Sequence, residues 1–158
     1  MKTFFTGAHH VPLIWKSSLL PCITLSTLEA EYMQLSRTIT VLLGIKNMLE
    51  ELLPRLKIQG LDSFVKSTVF EDNAGALILA TNQNITSRTR YLNCRWQHFW
   101  SWIHQPDDGP PQDNPNGTWT DGKIKAGKVA SSENPSDIMT KGLVRALYER
   151  CRLRTNGW

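Results

Sequence analysis

Long apolar runs, paired cysteines and a leader-like N-terminus are all missing from these 158 residues. The longest apolar stretches, Val41 to Leu43 and Leu77 to Ala80, fall far short of the roughly 18 residues a membrane span needs, so no membrane partner is expected. Cys22, Cys94 and Cys151 are odd in number, far apart and without a C-x-x-C pair. That excludes a disulfide framework and gives no zinc signature, and it fits a reducing, intracellular setting. Met1 to Gly7 carries one charge and a very short apolar stretch that His9-His10 cuts off, so no targeting signal is readable. Acids are locally scarce too: none lies between Asp72 and Asp107, and Glu149 is the only one after Lys141.

What is present suits one globular domain, with 41% hydrophobic and 20% charged residues. Eighteen basic against fourteen acidic side chains give a net charge of +4, which permits a polyanionic partner without demanding one. Its location says more than its sum. Lys141, Arg145, Arg150, Arg152 and Arg154 against Glu149 place the whole +4 in the last eighteen residues. A second, smaller basic segment holds Arg88, Arg90 and Arg95.

Local patterns predict the order βββαβαβα, or one early strand fewer, an α/β fold. Lys2 to Thr6, Val11 to Lys16 and Cys22 to Leu25 read as short strands of an antiparallel meander. Ser26-Thr27-Leu28-Glu29 matches a capping box and predicts a helix from Thr27. Leu28, Leu35, Ile39, Leu42, Leu49 and Leu53 continue it at helical spacing for about 26 residues, until Pro54 stops it. Ser67 to Glu71 reads as a strand, Asn73 to Ala80 as a helix, and Lys123 to Ala130 as a weak strand. Trp96, Phe99, Trp100 and Ile103 predict an amphipathic helix over 94–104. Four prolines and two glycines in 105–117 mark a loop insertion, and Asn134-Pro135, an N-cap followed by a proline suited to the first helical position, predicts the start of a last helix. No internal repeat is visible.

Three acids, Glu31, Asp72 and Asp137, are predicted near helix N-terminal ends beyond strands. Asp72 has a plain alternative as an N-cap, and Asp137 as a complement to the helix dipole. Glu31 is different, because it shares a face with Leu28, Leu35, Ile39 and Leu42, where an acid needs a partner or a metal. Converging carboxylates suit a hard divalent ion and the two-metal clamp of phosphodiester chemistry.

At these residues the chain resembles a known family. Leu25 to Tyr32 is similar to the A-L-S-S-T-E-A-E-Y segment of the ribonuclease H domain that ends copia-type retrotransposon polyproteins. Phe70 to Ala76 resembles its D-N-Q-S-A segment, Ser87 to Asn93 its S-R-T-K-H-I-D, and Arg95 to Phe99 its K-Y-H-H-F. Ser132 to Lys141 resembles E-N-P-A-D-I-L-T-K, and Ile14 to Ser17 fits an I-S-W-K-S strand. The resemblance covers residues 4 to about 145.

It implies an RNase H-like mixed sheet with flanking helices, spanning 1–145 and followed by a basic tail over 146–158. The implied activity is hydrolysis of RNA in an RNA–DNA hybrid with Mg²⁺ or Mn²⁺, the metal ligands and catalytic acids being Glu31, Asp72 and Asp137. The implied partners are that hybrid and the reverse transcriptase domain of the same polyprotein, in a cytoplasmic retroelement particle or the nucleus. The family's further aspartate, in an S-D-A-D-W type segment on the first and central strand, has no counterpart here, since the first acid is Glu29. A domain lacking that strand is expected to be an impaired or inactive hydrolase if Met1 is the true start. The alternative is a remnant of the same fold that only binds nucleic acid or protein.

Among binding candidates, Ser87, Arg88, Thr89 and Arg90 combine hydroxyl and guanidinium chemistry for phosphate contact. The arginines after Lys141 are read chiefly as a disordered end, with a contribution to the field around a hybrid as the alternative. Trp96, Phe99 and Trp100 are expected in the core rather than on a base-stacking platform, and His98 and His104, six apart, do not share a metal-binding helix face.

Overall fold

The capping box begins the longest element. The Glu29 N–H donates to Ser26 Oγ at 3.2 Å, and the Glu29 carboxylate reaches back to accept the Leu25 N–H at 2.7 Å, one residue beyond the usual partner. Helix α1 then runs Thr27–Leu56 in the computed structural model, which describes residues 2–6, 12–56, 65, 67–82, 92, 96–103, 124–139 and 141–156. Pro54 does not stop the helix where the sequence predicts. Sitting two residues from the end, it removes one intrahelical hydrogen bond where the helix is about to finish.

Strands β1 (Lys2–Thr6) and β2 (Pro12–Ser17) form an antiparallel hairpin, with Phe4 opposite Trp15. The third strand expected at Cys22 to Leu25 is absent: the segment is irregular, with Ile23 and Leu25 largely exposed. After α1 come β3 (Thr68–Glu71) and α2 (Ala74–Asn82), and later β4 (Lys125–Lys128), which pairs with β3 in parallel. Gly127 stands opposite Phe70, and a side chain there would press to 3.3 Å of the Phe70 ring, so the glycine lets the ring lie across its neighbour. Among the described residues the two pairs are separate two-stranded sheets, one antiparallel and one parallel, where the resemblance implied one mixed sheet. The architecture is α/β.

The core lies between α1, α2 and the 96–103 segment. Tyr32, Leu35 and Ile39 of α1 meet Ala76, Leu79 and Ala80 of α2, with Phe99, Ile103 and Ile124 fully buried beside them. The segment expected to be helical over 94–104 is a tighter 3-10 turn at His98–Trp102, yet Trp96, Phe99 and Ile103 do face inward and Trp100 packs against the core edge. The Phe99 and Tyr32 rings stand 5.5 Å apart. Burial drives the Tyr32 phenol well above its ordinary value, and the neighbouring Trp100 indole only partly opposes it.

His98 fastens this turn to α1. Its Nδ1 lies 3.4 Å from the Ser36 hydroxyl and its Nε2 2.9 Å from that of Thr40. Because Thr40 already donates to the Ser36 carbonyl, Nε2 is the donor to Thr40 and Nδ1 the acceptor from Ser36. The histidine is thus used in packing.

Where the sequence predicts a last helix, Asn134 and Pro135 open only a short 3-10 turn, Pro135–Met139, with Asn134 Oδ1 accepting the Ser136 N–H at 3.1 Å; the α-helix begins later, at Arg145. The basic C-terminal stretch is not a disordered end. It folds as α3, Arg145–Asn156, and packs against that turn with Cys151 buried. No helix among the described residues is long and apolar enough to cross a membrane. The 105–117 insertion lies outside the described residues.

Candidate functional site

Alternation along β3 puts Thr68 and Phe70 outward and Val69 and Glu71 inward. An inward acid at a strand end has to find polar company. It finds it in Asp72, where the chain bends, and in Glu31, one position before the buried Tyr32 on α1: one carboxylate oxygen from each of Glu31, Glu71 and Asp72 lies within 4.8 Å of the others. The bend is held locally. The Asn73 N–H donates to Glu71 Oε1 at 3.0 Å, while Asn73 Oδ1 caps α2 by accepting from the Gly75 and Ala76 N–H groups at 3.0 and 3.2 Å. Gly75 matters for space, since a side chain there would meet Leu28 Cδ1 of α1 at 2.7 Å.

Like charges this close cannot all ionise freely. Burial first, then the charges of Glu31 and Asp72 and a hydrogen bond with the Asp72 carboxyl, push Glu71 up to about 7, against the lowering effect of the Asn73 N–H. Near neutrality Glu71 is therefore only partly ionised. The donor set consists of carboxylate oxygens at close range, which fits Mg²⁺ or Mn²⁺ rather than a soft metal.

Asp137 borders this group. Its carboxylate, nearly buried, accepts the Lys141 ammonium at 2.7 Å, and the Lys141 N–H also bonds the Asp137 carbonyl at 3.0 Å. The hydrogen bond to Asp137 chiefly, helped by the charges of Asp137, Asp72 and Glu31, raises Lys141 above its usual value. Asn134 completes the border, donating its amide to Asp72 Oδ2 at 3.3 Å. Of the three acids picked from sequence, Glu31 and Asp72 thus stand together and Asp137 joins them through Lys141 and Asn134. Glu71 was passed over. The signal for it was its alternation with Val69, which directs it inward. Ser87, Arg88, Thr89 and Arg90 lie outside the described residues.

No family model matches the chain, and no solved structure matches it. Among curated proteins it is similar to the Retrovirus-related Pol polyprotein from transposon TNT 1-94 of Nicotiana tabacum, with 29% identity over 150 residues, 95% of this chain. The matched region is 9% of the relative's length, so the chain corresponds to a small part of that polyprotein. The likeness spans both the carboxylate cluster and its Asp137 border, and it supports an origin in a retrotransposon polyprotein.

Proposed function

We propose that this chain is an RNase H-type nucleic-acid module, hydrolysing the RNA strand of an RNA–DNA hybrid at a divalent-metal site. The observation that carries the reading is the convergence of Glu31, Glu71 and Asp72 within 4.8 Å, at residues that resemble two of the family's motifs. The polyprotein likeness supports it by supplying a setting in which such hybrids arise.

In this reading Glu31, Asp72 and the carboxylate form of Glu71 would hold the cation. Asp137 is the further acid at the edge, ion-paired with Lys141. Asn134 fixes the Asp72 carboxylate by donating to one oxygen, leaving the other for a ligand. Bound there, Mg²⁺ or Mn²⁺ would supply Lewis-acid charge for the scissile phosphate and make a water molecule acidic enough to attack it. Glu71 is the carboxylate that stands third with Glu31 and Asp72.

The test is incubation of the purified chain with a labelled RNA–DNA hybrid and Mg²⁺ or Mn²⁺. Cleavage that Asp72→Asn abolishes without altering the fold supports the enzyme. Hybrid binding with no cleavage at any metal concentration supports instead a module that only binds, the second reading.

A further inference from the structure

The carboxylate cluster poses an electrostatic problem that α3 is placed to answer. A group of acids repels a polyanion, so a nucleic-acid strand reaching it needs cations close by. The stretch 141–158 carries five basic residues and one acid, the whole net charge of +4, and its helix α3 packs against the Pro135–Met139 turn that holds Asp137. Two contacts join them: Cys151 Sγ lies 3.8 Å from the Asn134 carbonyl, and the Asn134 amide donates to Asp72.

The four arginines of α3 divide into two pairs. Arg152 is tied to Glu149 at 2.8 Å, and Arg154 to Glu133 at 3.2 Å with a second bond to the Glu133 carbonyl. Arg154 thus ties the helix to the 131–133 turn, while Arg152 is paired within α3 itself. Arg145 and Arg150 are exposed and form no ion pair with a described residue. They stand about 7.5 Å apart along the axis and about 140° apart around it, at the two edges of the outward face, with Ala146, Leu153 and the Arg152-paired Glu149 in the arc between them. Arg145 lies in the first turn, where a cation opposes the helix dipole and stability alone would favour an acid. Every basic residue of α3 is arginine, whose planar fork suits phosphate oxygens.

We propose that Arg145 and Arg150 on the outer face of α3 grip the sugar-phosphate backbone of the nucleic-acid strand that adjoins the carboxylate cluster. The proposal rests on the reading of that cluster as a nucleic-acid site.

The test measures affinity for a short fluorescein-labelled RNA–DNA hybrid by anisotropy, in Ca²⁺ to prevent cleavage, from about 50 to 200 mM salt. Arg145→Ala/Arg150→Ala is expected to weaken binding about tenfold or more and to flatten the slope of log affinity against log salt by roughly 1.8 for two lost contacts. Arg145→Lys/Arg150→Lys, which keeps both charges, should recover most of the slope, separating lost contact from lost fold. Unchanged affinity and slope in the alanine pair, or no hybrid binding by the native chain, overturns the proposal. Asp72→Asn separates the two readings: if native and D72N proteins bind equally and neither cleaves, the metal site fails as a catalyst while the α3 contact is still decided by its own variants.

Discussion

Glu71 offers a direct thermodynamic handle on the cluster. Burial and the neighbouring carboxylates raise it from 4.5 to about 7 in the folded chain. Between those values the folded protein keeps a proton that the unfolded protein has released, so in the absence of metal this group makes stability fall as pH rises from about 4.5 to about 7. The separation corresponds to about 3 kcal/mol, present as stability at low pH and lost above pH 7. Glu71→Gln cannot ionise, yet it retains an oxygen for the Asn73 N–H. Urea unfolding of both proteins in EDTA should give near-equal stabilities at pH 5, with the variant pulling ahead until it is more stable by about 3 kcal/mol at pH 8. Working with the difference cancels titrations elsewhere in the chain. Added Mn²⁺ should reverse the order by stabilising the native protein more than the variant, because the ion takes the place of the proton. A difference that stays flat from pH 5 to pH 8 would refute the argument that these acids are crowded and buried together.

Two further outcomes follow from packing and charge. Phe99→Ala empties a fully buried ring site against Tyr32 and should cost about 3 to 5 kcal/mol in urea unfolding, with the Tyr32 fluorescence environment changing in parallel. Lys141→Met leaves the nearly buried Asp137 carboxylate without its ammonium and should lower metal-free stability by about 1 kcal/mol, since the lysine is half exposed. That deficit should shrink when Mg²⁺ is added, and thermal melts with and without the ion would show it.

Local chemistry was legible wherever the cause was local. The α1 start could be read from Ser26 and Glu29 because a capping box needs only four residues, and the inward face of 96–103 from the spacing of Trp96, Phe99 and Ile103. Spacing of three or four does not separate an α-helix from a 3-10 turn, so the winding was missed. The Cys22 to Leu25 strand failed because β-propensity needs a partner strand, and none pairs with it among the described residues. For α3 the high charge suggested a solvated end. What orders the helix is a small set of remote contacts, Cys151 on Asn134 and Arg154 on Glu133, which lie 17 and 21 residues away in sequence.

The site shows why reading acids one at a time fell short. Adjacent residues in a strand point to opposite faces, so Glu71 and Asp72 could not share a cluster if β3 continued. They share it because the strand ends at Glu71, the chain bends at Asp72, and Asn73 is committed to both sides of the bend, donating backward to Glu71 and capping α2 forward. The cluster is thus a property of the strand-to-helix junction rather than of either acid. Replacing Asn73 with alanine would unfasten α2 by removing the side-chain cap while leaving the backbone N–H that holds Glu71, although Asn73 itself never touches a ligand in this reading. The same logic holds on the opposite border, where Asn134 caps its own turn through Oδ1 and positions Asp72 through Nδ2. Two asparagines, each dividing its hydrogen bonds between a turn and a carboxylate, set the geometry on which the acids depend.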